Sequence, residues 1–228
     1  MTFKRTVVSV ALLGAAAFSG SAFAGVSGNV GVFSDYMFRG ITQTSGAAVQ
    51  GGIDYASDSG FYIGTWGSNL NFAGGTELDV YTGFSGSVGE NFSFDIGALY
   101  YWYPEEDEVA APGSPSINTL ELYAGFETGP FSLKGYFTND YFGTDESAYY
   151  VLGALALPLA ETVSLDIAVG LNAGDGVEAT FGEEYIDYKL GVSKSLDGDY
   201  TASFALVATD LSDDDPKFVI GLSKSFDF

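Results

Sequence analysis

The chain contains neither cysteine nor histidine. The first absence removes disulfide frameworks, thiolate nucleophiles and cysteine-based zinc or iron–sulfur sites. The second removes Ser-His-Asp triads, histidine metal clusters and the side chain that most often moves protons near neutral pH. Positive charge is also scarce, with 8 Lys and Arg against 30 Asp and Glu, a formal net charge of −22 and a pI near 4.1. Nucleic-acid binding needs clustered cations that release counterions from phosphates, so no nucleic-acid partner is expected. After residue 24 no apolar run reaches the ~18 uninterrupted residues that a spanning helix requires, although mean hydropathy is slightly positive at +0.17. Carboxylate, tyrosine and lysine chemistry remains. An enzyme is not expected, because barrel lipases and acyltransferases need an imidazole to activate serine; only a carboxylate pair acting on glycosidic bonds stays open. No catalytic residue, cofactor or metal site is assigned.

What is abundant is glycine, at 31 positions, and aromatic residues, at 16%. Both favour strands and tight turns over long helices. The first 24 residues read as an export signal: Lys4 and Arg5 are a basic start, Val7 to Phe18 a short apolar core, and Ala22-Phe23-Ala24 a cleavage site before Gly25. Residues 25–228 then form one domain, exported across the inner membrane of a Gram-negative cell. Loss of the signal takes two basic residues with it and leaves a formal charge of −24.

From Gly25 onward the chain alternates apolar and polar residues with period two, the strand signature. Twelve such segments are predicted, over 26–38, 47–56, 61–69, 76–88, 92–103, 117–127, 131–140, 148–158, 163–172, 184–195, 199–210 and 217–228. In the fifth, Phe92, Phe94, Ile96, Ala98, Tyr100 and Trp102 share one face and Ser93, Asp95, Gly97 and Tyr101 the other. Breaks after even segments are short and those after odd segments mostly longer, the asymmetry of outer-membrane barrels. The fold class is therefore all-β, a transmembrane antiparallel up-and-down barrel of about 12 strands. A soluble β-sandwich also alternates, but three features oppose it. Aromatics gather at strand ends: Tyr55, Phe61, Phe92, Phe126, Phe131, Tyr200 and Phe226 on the short-turn side, with Phe38, Tyr100, Trp102 and Tyr149 toward the long loops. Most charges within segments oppose the apolar face. The last strand ends Phe218, Ile220, Leu222, Lys224, Phe226, Phe228, resembling the terminal signal read by the barrel-assembly machinery, with Lys224 out of character.

The run Phe33-Ser34-Asp35-Tyr36-Met37-Phe38-Arg39-Gly40-Ile41-Thr42-Gln43-Thr44, followed by Gly51-Gly52-Ile53-Asp54-Tyr55, Gly60 to Asn69 and Glu77-Leu78-Asp79-Val80-Tyr81, resembles the proteobacterial outer-membrane family known as Gcw_chp. The likeness is densest over residues 30–130. It implies a signal peptide and an outer-membrane barrel and supplies no substrate.

Alternation projects Asp35, Arg39, Asp54, Glu77, Asp79, Tyr81, Asp95, Tyr101, Glu121, Tyr123, Lys134, Asp140, Asp166, Asp187 and Lys189 into the lumen, acids exceeding bases about three to one. Such a wall attracts small cations and penalises anions. The expected function is a passive channel for a small hydrophilic solute with weak cation preference. The alternative is a structural or surface-interaction barrel whose interior is filled, Arg39 bridging Glu77, Asp79 and Glu121. Inward aromatics Phe33, Tyr62, Trp66, Tyr81, Tyr101, Tyr123 and Tyr136 offer either a stacking surface for a planar solute or packing against inward glycines, the latter preferred. The acidic loops Glu105 to Glu108, Asp175 to Glu184 and Asp213 to Asp215 lack EF-hand spacing and read as solvated runs, suited at most to nonspecific divalent bridging to lipopolysaccharide. Expected partners are outer-membrane lipid and lipopolysaccharide, the assembly machinery through Phe228, and a small-molecule solute.

Overall fold

The computed structural model describes residues 24–228 apart from 90, 110 and 213. The export signal lies outside these residues. Fourteen strands follow in order: β1 (Gly25–Phe33), β2 (Met37–Phe38), β3 (Ile41–Thr42), β4 (Ala48–Ala56), β5 (Phe61–Asn69), β6 (Thr76–Val88), β7 (Phe92–Trp102), β8 (Thr119–Thr128), β9 (Phe131–Thr138), β10 (Ala148–Ala160), β11 (Val163–Ala173), β12 (Tyr185–Leu196), β13 (Tyr200–Thr209) and β14 (Lys217–Asp227). Among the described residues two short α-helices sit in loops, α1 (Glu106–Val109) and α2 (Asp175–Phe181), with a 3-10 turn at Ala73–Gly75. Twelve strands pair antiparallel with their sequence neighbours, and β1 pairs with β14 to close the barrel. Closure removes the unpaired edges that an open sheet exposes.

The predicted register holds. Asp95, Leu99 and Tyr101 of β7 are buried inside, while Phe92, Ile96, Tyr100 and Trp102 face out. Ser164, Asp166, Gly170 and Asn172 of β11 likewise point inward. The outer surface carries Ile53, Leu122, Leu190 and Ile220, each more than half exposed. Water would not stabilise so continuous an apolar belt; hydrocarbon does. Tyr55, Phe61, Phe92, Tyr100, Trp102, Tyr149, Tyr200 and Phe226 border it as expected. Lys224 belongs to that border: it pairs with Tyr200 across the ladder and holds its ammonium 4.7 Å from that ring, so its stem lies on apolar surface while its head reaches the polar rim. Phe228, 81% exposed, donates its backbone N–H to Val26.

Two expected boundaries fail, and both bear on the lumen. The first segment was expected to run as one strand through residue 38, but β1 stops at Phe33. Ser34 then donates its N–H to the Ile220 carbonyl and the chain turns into the barrel, where β2 and β3 form a ladder of Met37↔Thr42 and Phe38↔Ile41. Arg39 and Gly40 close that hairpin with φ of 47° and 85°. Two positive φ values in a two-residue loop match the right-handed twist of a hairpin. Glycine adopts this backbone freely, whereas arginine is strained there and must be held by its contacts. Phe38, expected in the outer aromatic girdle, is thereby inside, edge-on to Tyr101 with centroids 5.6 Å apart. At the other boundary β9 ends at Thr138, so Asp140 lies in a loop rather than on the wall and accepts the Asp145 N–H at 2.9 Å.

Inward rings lie over inward glycines of adjacent strands. A Cβ on Gly97 would overlap the Thr82 carbonyl and the Tyr123 hydroxyl; one on Gly170 would overlap Tyr150, and one on Gly83 Tyr62. Phe33 covers Gly221 in the same way. Of the expected set, Phe33, Tyr62, Tyr81 and Tyr123 therefore pack against glycines, supporting the wall. Gly97→Ala should destabilise the barrel by about 1–3 kcal/mol through overpacking. Gly135→Ala, whose Cβ would meet nothing nearer than 4.0 Å, should stay within about 0.5 kcal/mol of the parent. Urea titration read by heat-modifiable gel migration measures both.

Candidate functional site: a lumen crossed by an inward hairpin

The hairpin of β2 and β3 reaches from the β1 rim across the lumen. At its tip, a Cβ on Gly40 would stand 2.8 Å from the Asp187 Cβ on β12. Its base is tied by the Tyr36 N–H to the Thr44 hydroxyl at 2.9 Å and by that hydroxyl to Asp35 at 3.0 Å. Gln43 closes the ring by donating its N–H to the Tyr36 carbonyl.

Two hairpin side chains meet wall carboxylates. Arg39 Nη2 donates to both oxygens of Glu121 at 2.7 Å, and both residues are almost fully buried. The Arg39 guanidinium lies 4.3 Å from the centroid of the Tyr150 ring and 5.5 Å from that of Tyr136, and it also hydrogen-bonds Tyr141. Tyr101 gives a further hydroxyl to Glu121 at 3.1 Å. On the other flank the Tyr36 hydroxyl donates to Glu77 at 2.7 Å, and Tyr103 hydrogen-bonds the same carboxylate. Between them, Asp79 lies in the electrostatic field of Glu77 and Glu121, and its Oδ1 is buried with no hydrogen-bond partner. Arg39 therefore bridges Glu121 rather than all three acids. Glu77 is held by tyrosines, and Asp79 is left under-satisfied, which carries a desolvation penalty.

The remaining projected residues form further groups, of which Asp187 and Asp35 adjoin the hairpin. Lys134 pairs with Asp95 at 3.0 Å and sits 4.0 Å from the Tyr123 ring centroid. Tyr62 donates to Asp95 and bonds the Tyr123 hydroxyl. Tyr81 donates to Asp54. Asp187 accepts from Asn172 at 3.0 Å and from Tyr150 at 3.3 Å. Asp166 accepts from Ser164 at 3.2 Å and is the acid acting on buried Lys189. Asp35, half-buried, shares with Lys189, Phe33, Tyr36 and Val207 the lining of a small cavity of about 10 Å³ against the hairpin, room for about one water molecule.

The two halves of the lumen differ. Toward the long loops, Tyr36, Met37, Glu77, Tyr101, Glu121, Tyr141 and Tyr185 are packed out of contact with water. Val177 of α2 is buried with them, beside Tyr141 and Tyr185. Toward the short turns, inward positions mix small hydroxylated residues, with Ser85, Ser132, Ser195, Thr201 and Ser223 half-buried, and the charged Asp54, Asp95, Glu127 and Lys134. Alternation did not single out Tyr141 or Val177, which lie between predicted segments where period two says nothing, nor Tyr36 and Met37, whose segment bends into the barrel after Phe33; Tyr185, at the start of β12, was passed over within its segment. The one available signal was Arg39-Gly40, a residue pair in the position of a hairpin turn. The acidic loops are also less free than expected. Glu106 accepts from the Ser116 hydroxyl, the Ile117 N–H and the Asn118 amide at 2.6–2.7 Å, bracing the long loop, while Asp210 and Glu184 accept backbone N–H groups.

The family described as a bacterial protein of unknown function, Gcw_chp, matches residues 16–224. The chain belongs to the Gcw_chp family. Solved structures similar to this Gcw_chp member are outer-membrane channels. The KdgM porin has a TM-score of 0.60 at 12% identity, covering 88% of this chain and 99% of that one. The NanC porin has 0.59 at 10%, covering 87% and 98%. The COG4313 outer membrane channel from Pseudomonas putida F1 has 0.52 at 12%, covering 90% and 96%. At such identities the likeness is one of fold. No significant similarity to a curated protein is found.

Within this Gcw_chp barrel the Arg39–Glu121 pair is testable as a strut. Arg39→Met leaves a buried carboxylate uncompensated and should cost about 3–5 kcal/mol, as should Glu121→Leu. The double variant should be less damaged than the two losses added together, with a coupling of at least about 2 kcal/mol in a urea-unfolding cycle. Additive losses would mean that the pair is not coupled.

Proposed function

We propose that the protein is an outer-membrane channel for small hydrophilic solutes with a preference for cations, its outer half closed by the hairpin. The observation that carries this reading is a barrel of channel type whose lumen wall is dominated by carboxylates and whose obstruction is a loop rather than the wall itself. A charged wall in a low-dielectric cylinder concentrates counterions and excludes like charge. Sign is the useful discriminator among channel substrates. One similar structure is described as the KdgM porin in complex with disordered oligogalacturonate, a polymer of sugar carboxylates; an acidic lumen such as this one opposes such a ligand. The half near the short turns suits hydrated solutes, since its Ser and Thr hydroxyls replace water contacts between the charged groups. In this reading the signal peptide delivers the chain to the periplasm, Phe228 addresses it to the assembly machinery, and the acidic loops meet lipopolysaccharide through divalent ions.

A filled, structural barrel is favoured by one observation, the packed outer half with its braced loops. Planar-bilayer recording separates the two. Replacing residues 35–43 by a short Gly-Ser turn should raise conductance severalfold over the parent, and the reversal potential in a salt gradient should report cations as the main carriers. Asp79→Asn or Asp187→Asn in that background should lower the selectivity. Silence of the hairpin-less protein, correctly folded by gel shift, would establish the filled barrel instead.

A further inference from the structure

The contacts around Arg39 describe a binding site that the chain fills with its own side chain. A carboxylate, Glu121, faces the guanidinium edge, and the rings of Tyr150 and Tyr136 face its plane. That combination suits a weakly hydrated, delocalised or alkylated cation better than a compact, strongly hydrated metal ion, because the aromatic quadrupole adds attraction without replacing a hydration shell. Two further observations point beyond a structural strut. Asp79, 3% exposed, presents an oxygen with no partner and lies in the electrostatic field of Glu121 and Glu77, so the carboxyl cluster has acceptor capacity that Arg39 does not fill. The same hairpin also provides the Tyr36 hydroxyl on Glu77. Withdrawal of the hairpin therefore strips both Glu77 and Glu121 of a donor at once. Three carboxyl groups are then short of donors, which a cationic head supplies in exchange.

We propose that the Glu121, Asp79, Tyr136 and Tyr150 cage is a binding site for small organic cations with a guanidinium or primary ammonium head, for which Arg39 is the resident surrogate. A solute of this class takes the place of Arg39, neutralises the carboxylates and releases the hairpin tip, whose positive-φ arginine is strained while it is held in place. This deepens the channel reading by naming a solute class, and it rests on that reading for its role in transport.

The test is calorimetric titration of agmatine into the full-length, detergent-solubilised protein at low ionic strength, with bilayer recording in parallel. Saturable binding is expected. Arg39→Gln should tighten it about tenfold by removing the internal competitor. Glu121→Gln should weaken it at least about tenfold. Asp79→Asn breaks no hydrogen bond at the unpartnered oxygen, so it should fold as the parent does and still weaken agmatine severalfold. Glutamate, of similar size and opposite sign, should not bind. Absence of saturable agmatine binding in the parent and in Arg39→Gln, or equal affinity in the parent and Asp79→Asn, would overturn the site. Binding with these variant effects but no current from any protein would uphold the site and remove the channel; current without agmatine binding would do the reverse.

Discussion

Backbone amides and carbonyls in hydrocarbon have no partner except each other, and everything else in this protein follows from how that demand is met. The pairing of β1 with β14 is the decisive contact, since it turns a twelve-strand sheet into a cylinder with no free edge. Once the cylinder closes, period-two alternation stops being a choice. Every second residue must face lipid and every other one the interior, and a slip of one residue would carry Asp95, Glu121 and Asp187 into the bilayer. The acidity of the lumen is thus not a separate feature added to the fold; lipid excludes the charges within the strands from the outer face, and the inside is where they can be paired.

Pairing them is the second constraint, and basic residues are too few to do it one to one. The interior meets the shortage with tyrosine. Tyr36 and Tyr103 serve Glu77, Tyr101 serves Glu121, Tyr81 serves Asp54, Tyr62 serves Asp95 and Tyr150 serves Asp187. A phenol donates one hydrogen bond and brings a large apolar ring, so it satisfies a carboxylate and fills space together. Glycines on neighbouring strands make room for the rings at Gly64, Gly83, Gly97 and Gly170. Glycine and tyrosine abundance thus have a joint structural cause, in line with the expected packing of inward rings against inward glycines.

Legibility followed that logic. The strand boundaries of β5 and β6 coincide with the predicted segments, because inside and outside residues differ sharply in polarity over those lengths. The inward set was readable for the same reason: Glu77, Asp79, Tyr101, Glu121, Lys134, Asp166, Asp187 and Lys189 are all buried. Pairing partners were not readable, since alternation gives the face of a residue and not its height or angular position around the cylinder. Arg39 was placed inside correctly but on the wall, when it stands at the tip of an inward hairpin that contacts β8, β9 and β10. Residues 34–38 continue the apolar alternation of β1 closely enough to conceal the bend after Phe33, and the polarity pattern is blind to a strand that leaves the sheet for an equally protected interior.

Two departures from local consistency concern the charged interior around Glu121. Arg39, its ion-pair partner, adopts a backbone conformation that favours glycine, and Asp79, in its electrostatic field, holds a buried oxygen without a donor. Elsewhere in the lumen, carboxylates such as Glu77, Asp95 and Asp187 accept from hydroxyls, amides or lysine. Strain and under-satisfied charge persist only where surrounding structure over-determines them, and they narrow the gap between two arrangements of the same segment. The wall cannot supply the second arrangement, because its ladders are continuous and any change there breaks backbone pairing in lipid. The hairpin can, since side chains hold it to the wall and its two-pair ladder is separate from the barrel sheet. Its displacement costs no strand pairing in the barrel, and its anchor is the arginine paired with Glu121.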